Sequence, residues 1–381
     1  MSTKAVDIQQ ATPRDWLGDA RALAAVFGKR AVGYDETTTF VTENYRDLAE
    51  NELFSAGIPV ELGGGGATHE ELCGIVRELG RRCGSTALAF AMHTHVLALN
   101  VFKYLRDDEG AARTLAKLAA DELVIAGTGA NDWLESSGTA ERVEGGYRVT
   151  ARKRFVSGCP GADILVTSAV HETGEGREVL HFSIPFANDG VRIIETWWTL
   201  GMRGTGSHDV ALENAFVPDA AIAARRPAGE WHTVWEMVLP IALPLITAAY
   251  VGSAETAAEL AVEAARRKPA EAGTVGRMTN ALAIARMALS EMTRINDNYR
   301  FTPSLSLTNT ILTHKAIAAE AVAEVVDLAA ELVGGPGFFR GHAIERILRD
   351  VRAMNFHPLP IRRQQVFSGR QALGLDPIAA G

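Results

Sequence analysis

The chain has 381 residues, 47% of them hydrophobic and 22% charged. This is an ordinary globular composition, and it excludes a disordered, collagenous or coiled-coil chain. Lys plus Arg number 38 and Asp plus Glu 46, a net charge of −8, so the clustered cations that neutralise phosphates are missing and no nucleic-acid partner is expected.

The length has room for two or three domains. Cys73, Cys83 and Cys159 form no CxxC pair, which indicates neither a zinc knuckle nor a disulfide framework. The sparse cysteines fit a reducing compartment. The start, MSTKAVDIQQATP, shows no apolar leader region, and a cytoplasmic location is the expectation. Residues 83–102 and 237–254 are uncharged and approach the ~20 residues that span a bilayer. The first carries His93, His95 and Asn100, and the second Pro240 and Pro244. Buried helices of a large bundle explain both, and no membrane partner is expected.

In chain order, residues from about 14 to 121 read as helical. Thr68 and Glu71 form a capping-box pair at the start of a helix, and Ile75, Leu79 and Cys83 follow at i, i+4, i+8. The period then changes. Tyr147-Arg-Val-Thr-Ala-Arg-Lys-Arg-Phe-Val alternates as a strand does, and Ile164–Thr167, Val179–Ile184 and Val191–Glu195 are further short runs. Glu144-Gly145-Gly146 signals a hairpin. From about 230 the pattern is helical again. Glu320, Glu324, Asp327 and Glu331 make one acidic stripe on an otherwise apolar helix, Gly334–Gly337 stops it, and Glu345 and Arg349 can pair at i, i+4. The expected plan is α+β, mainly α. It has a helical domain over 1–121, an antiparallel β domain over 122–227 and a helical bundle over 228–381. Strands do not alternate with helices, which excludes a doubly wound parallel sheet.

Few motifs carry chemistry alone. Gly63–Gly66 and Gly334–Gly337 follow no strand and precede no phosphate-binding lysine. No GxSxG elbow supports a hydrolase. His93 and His95 diverge by about 200° on a helix, so they cannot share one metal. Each reads either as a satisfied core imidazole or as a residue lining a cavity. Lys153-Arg-Phe-Val-Ser-Gly and Leu200-Gly-Met-Arg-Gly-Thr-Gly-Ser offer aromatic and hydroxyl groups to a flat, polar-edged ring. His357 precedes Pro358 and Pro360 at a helix C-terminus, where the dipole favours a cation.

Four segments in order resemble the acyl-CoA dehydrogenase superfamily over nearly the whole length. They are Cys83-Gly-Ser-Thr-Ala with the helix to His93, then Arg152-Lys-Arg-Phe-Val-Ser-Gly, then Leu200-Gly-Met-Arg-Gly-Thr-Gly-Ser ending at Phe216-Val-Pro, and last Leu332-Val-Gly-Gly-Pro-Gly-Phe with Arg349-Asp-Val-Arg. The resemblance implies an N-terminal helical domain, a β-barrel-like domain and a C-terminal four-helix bundle. It also implies a flavin, FAD or FMN, and a homotetramer or homodimer. Thr128, Phe155 and Ser157 match positions that contact the isoalloxazine ring. Arg277 matches an arginine that meets the flavin phosphates. Gly334 and Gly335 match a stretch that reaches the dinucleotide part of a neighbouring subunit's flavin, which favours FAD.

The chain departs from the family at its catalytic glutamate. The two places where members carry it correspond to Pro358 and Ala242, and neither takes a proton. Two reactions follow from the resemblance. The first is α,β-desaturation of an acyl thioester on CoA or an acyl carrier, with an electron-transfer flavoprotein as partner; His357, His93 and Glu236 are then the nearest substitutes for the base. The second is oxygenation by reduced flavin from a separate reductase, in which His357 and His93 orient or deprotonate substrate. The body of the chain places desaturation first, and the lost glutamate pulls the other way.

Overall fold

The computed structural model describes residues 14–129, 132, 134–266 and 268–378. The stretch MSTKAVDIQQATP lies outside them. The first helices are α1 (Trp16–Thr37), α2 (Thr42–Glu50), α3 (His69–Gly80), α4 (Gly84–Tyr104) and α5 (Glu109–Ala120). Thr68 caps α3 through the expected reciprocal box with Glu71. The strands are β1 (Ile125–Gly127), β2 (Thr139–Val143), β3 (Gly146–Val156), β4 (Ile164–Thr173), β5 (Gly176–Pro185), β6 (Val191–Ile194), β7 (His208–Pro218) and β8 (Ile222–Pro227). Then come α6 (Val234–Ala265), α7 (Ala272–Asn296), α8 (Leu305–Val333), α9 (Ala343–Asp350) and α10 (Ile361–Ala372). This is the expected mainly helical plan around a central sheet.

The strands form one sheet in the order β6-β7-β3-β2-β4-β5-β8, with β1 beside β4. The sheet is mixed rather than wholly antiparallel, because β1 and β2 both meet β4 in parallel. Those pairs are joined by long crossings, not by tight hairpins, and only the hairpins leave a turn signal in sequence. Alternation along β3 buries Tyr147, Val149, Ala151 and Lys153. Lys153 has a reason to be inside: its Nζ reaches Asp132 Oδ2 at 2.8 Å and Ser137 O at 2.7 Å.

Both membrane-length helices are internal. The most apolar windows of α4 and α6 are 78% and 89% buried within the fold. Helix α6 carries Pro240 and Pro244 in its interior. A proline at 244 removes the N–H that would bond the carbonyl of residue 240. Asn296 Nδ2, from the end of α7, donates to that carbonyl at 3.1 Å instead. Helices α3 and α6 approach closely enough that a Cβ on Gly252 would collide with the Arg77 carbonyl, and one on Gly80 with that of Ala249. The acidic stripe of α8 faces solvent at all four positions.

Candidate active site

The candidate site lies along α4, which runs between the sheet and the bundle. At its start, a Cβ on Gly84 would touch Met202 and Ser253 of α6. Further along, Gly158 approaches the Ala89 carbonyl, and Gly127 lies against the His95 ring. Met92, His95 and Leu99 share a face at steps of 3 and 4, and all three are only half-buried on a helix otherwise largely enclosed. That face borders the ends of β1 and β3.

The wall of the sheet that meets α4 carries three of the expected residues, at the ends of β1 and β3. Thr128 follows β1; its N–H donates to Val166 O at 3.0 Å and its Oγ1 meets Thr167 Oγ1 at 2.7 Å. Phe155 sits in a β-bulge with φ +60°. That conformation is uncommon for a bulky residue, and such backbones cluster at functional sites. The ring is 52% exposed and meets Trp197 edge-on, with centroids 6.3 Å apart. Trp197 is itself held by Nε1 donating to Met202 O at 3.0 Å. Next to Phe155, Ser157 Oγ meets Ser207 Oγ at 2.8 Å, and Ser207 Oγ meets Thr205 Oγ1 at 2.6 Å. An exposed aromatic face beside a row of hydroxyls fits a flavin ring, whose face is apolar and whose edge is polar.

Arg277 and the glycine pair stand elsewhere. The Arg277 side chain is 67% exposed and faces Glu324 Oε1 at 3.4 Å. Gly334 ends α8 with φ +73°, and a Cβ on Gly335 would meet nothing. Among the described residues no hydrogen bond, ion pair or ring contact joins either place to the wall of Thr128, Phe155 and Ser157.

The two catalytic candidates part company. His93 is buried with both ring nitrogens taken: Nε2 meets Phe54 O at 2.8 Å, and Nδ1 accepts from the Ile125 N–H at 3.0 Å. It therefore ties α4 to β1 and has no nitrogen left for a substrate, which corrects the catalytic expectation. His95, passed over in the sequence, is the half-buried member of the pair, on the face that it shares with Met92 and Leu99. Its Nδ1 meets Ala91 O at 3.3 Å. A carbonyl only accepts, so Nδ1 carries the proton and Nε2 presents a lone pair. Burial lowers the His95 pKa to about 4, so the imidazole is neutral. The HxH spacing already separated the two rings, but nothing in it says which one packs inside.

His357 Nε2 pairs with the hydroxyl of fully buried Tyr250 at 2.7 Å. The phenol, the stronger acid, is assigned as the donor, which leaves Nδ1–H to donate outward. The helical C-terminus was expected to favour a cation here. The structure reverses that expectation: burial first, then the nearby Lys315 charge, lower the His357 pKa to about 3. Helix α9 has already ended at Asp350, and His357 follows a 3-10 turn. Glu236 is occupied, accepting from Trp231 Nε1 at 3.0 Å. Ala242 is buried within α6.

The loop behind the wall is fixed by charge. Arg349 bonds Asp35 Oδ1 at 2.9 Å and Glu345 Oε1 at 2.6 Å, the latter being the expected i, i+4 pair. Buried Asp350 accepts from the Met202 N–H, and burial raises its pKa to about 6.

Comparison with known proteins agrees with this fold. The family model described as "Acyl-CoA dehydrogenase, N-terminal domain" matches residues 18–122, and "Acyl-CoA dehydrogenase, C-terminal domain" matches residues 234–357. The chain is 28% identical over 369 residues to the amino sugar nitrososynthase RubN8 of Streptomyces rubradiris, covering 91% of this chain and 86% of that one. It is 27% identical over 372 residues to the putative acyl-CoA dehydrogenase YdbM of Bacillus subtilis, covering 92% and 94%. Among solved structures, KijD3 in complex with FMN and an amino-keto dTDP-sugar superposes with a TM-score of 0.86 at 24% identity, over 97% of each chain. The chain belongs to the acyl-CoA dehydrogenase superfamily of flavin-binding oxidoreductases.

Proposed function

We propose that the protein oxygenates a small molecule at a nucleophilic nitrogen, using molecular oxygen and reduced flavin supplied by a separate flavin reductase. The observation that carries this reading is that neither place of the family's base holds a carboxylate, while two neutral imidazoles stand elsewhere in the fold. Ala242 and Pro358 stand where desaturation would place its base, while His95 and His357 are held uncharged. Removing a weakly acidic α-proton needs a base, whose help is worth about 10²–10⁴-fold. Oxygen transfer to an amine needs only a free lone pair on nitrogen.

Bound flavin supplies the electrons by which one oxygen atom goes to substrate and the other to water. The chain's own residues do the rest. His95 Nε2 accepts an N–H of the substrate amine and favours the form with a free lone pair. His357 Nδ1–H, backed by Tyr250, holds a second polar group of the substrate. Met92 and Leu99 give the face they share with His95 apolar sides that limit water. Thr128, Phe155 and Ser157 hold the flavin ring. Arg277 and Gly334-Gly335, on the open bundle surface, would meet the distal half of an FAD from a neighbouring copy in a homotetramer or homodimer. The name and near full-length match of RubN8 support the choice of nitrogen.

The test supplies the protein with FMN or FAD, NADH, a flavin reductase and ¹⁸O₂, and presents a panel of amines, amino sugars included. One ¹⁸O gained by any amine, dependent on this protein, is the expected result. Desaturation keeps the support of the family models and of YdbM. Its arm is anaerobic: bleaching of bound oxidised flavin by an acyl-CoA, with no ¹⁸O in any amine, would overturn the oxygenase reading.

A further inference from the structure

We propose that Lys315 is a positioning residue for His357: its buried ammonium clamps the two carbonyls that bracket Pro358 and so fixes where the imidazole stands against Tyr250. The inference rests on the role given to His357 above.

Lys315 lies on the inner face of α8 and is 0% exposed. Its Nζ donates to His357 O at 3.0 Å and Leu359 O at 3.1 Å. Among the described residues it has no carboxylate within ion-pair distance. A buried cation held only by carbonyl dipoles is costly, and an apolar side chain of similar volume would serve packing better. Burial alone lowers its pKa to about 8. What the amine supplies is an anchor where the backbone has none. Residues 357–360 lie between a 3-10 turn and α10, and Pro358 and Pro360 have no N–H to give. The two captured carbonyls belong to His357 itself and to the residue two places on.

The clamp also carries charge to the right place. Two groups bear on the imidazole from the elements packed around it, and a third bears on its partner. Tyr250 of α6 is a neutral phenol, Lys315 of α8 is a cation, and Asp350 of α9 acts on Tyr250. Lys315 disfavours a second positive charge on His357 and keeps its Nδ1–H available as a donor. Tethering and charge separate in two variants. Lys315→Gln retains N–H donors without the charge, and Lys315→Met removes both.

The experiment is ¹³C-histidine NMR of the full-length protein, with the His357 signal identified by its loss in His357→Gln. In the wild type, raising the pH from 7 to 10 should move the His357 signal with a midpoint near 8, reporting the Lys315 proton. Lys315→Gln should abolish this alkaline step while the signal stays single and sharp. Lys315→Met should abolish it and broaden or split the signal as the arm loosens. A His357 signal in the wild type that ignores the alkaline titration overturns the proposal without any variant. An alkaline step that persists in folded variants overturns it as well. None of these readouts uses turnover. Full ¹⁸O transfer by His357→Gln would sink the role given to His357 and leave the clamp measurable.

Discussion

Two histidines on one helix carry opposite duties here, and substitution should separate them. Replacing His95 by Gln removes the Nε2 lone pair. Turnover in the ¹⁸O assay is expected to fall by about 10²-fold or more with thermal stability unchanged. Replacing His93 by Leu leaves Phe54 O and the Ile125 N–H without partners. A loss of about 1–3 kcal/mol is expected in urea unfolding, the cost of unsatisfied buried polar groups. A catalytic loss in folded His93→Leu as large as that in His95→Gln would contradict the assignment. The sequence singled out His93 because periodicity shows that two rings diverge but not that both nitrogens of His93 are bonded within the fold. Lys315 was illegible for a related reason: its partners are carbonyls 42 and 44 residues away, and carbonyls carry no residue-type signature. The strand that carries Phe155 and Ser157 was legible, because its alternation is local, whereas the bulge at Phe155 depends on its register with β7.

At the scale of elements, α6 carries the most information per residue. Its prolines and small residues look like defects in a helix, yet each has a partner. Gly252 admits the backbone of α3, and Gly252→Ala should force the two helices apart, destabilising by about 1–3 kcal/mol in denaturant titration. An unchanged unfolding midpoint would mean that the contact relaxes freely. The capping box, the 144–146 hairpin, the alternation of β3 and the acidic stripe of α8 were all readable locally, because each depends on neighbours within four residues. The parallel pairing of β1 and β2 with β4 was not, since it depends on where long crossings land.

The molecule as a whole holds many imidazoles away from water. Burial lowers His69, His93, His95 and His181 to about 4 and His357 to about 3. Between those values and the ordinary 6.5 the unfolded chain binds more protons than the folded one. Stability therefore rises with pH through this window and is lost as pH falls below 6.5. Asp350 and Glu122, raised by burial, work the other way, but they are fewer. The melting temperature should drop steeply from pH 6.5 toward 4.5 in calorimetry. A flat profile would show that these rings are hydrated.

Glu255 gives the last consequence. It sits on α6, 1% exposed, and gathers Arg77 and Arg81 of α3 and its neighbour, and Arg286 of α7. Burial opposes its charge, but the hydrogen bonds from Arg77 and Arg286 hold its pKa below the ordinary value. One carboxylate thus serves parts of the chain that the sequence assigns to different domains, and one apolar cluster joins α1–α4 to α6–α10, apart from the core of the sheet. The compositional blocks are units of pattern, not of autonomy. A fragment ending near residue 121 would expose the faces that α3 and α4 turn toward α6 and would lose Glu255, the buried anion that Arg77 and Arg81 meet. Such a fragment is expected to aggregate, and the intact chain to melt in a single cooperative step, its first and last thirds surviving or failing together.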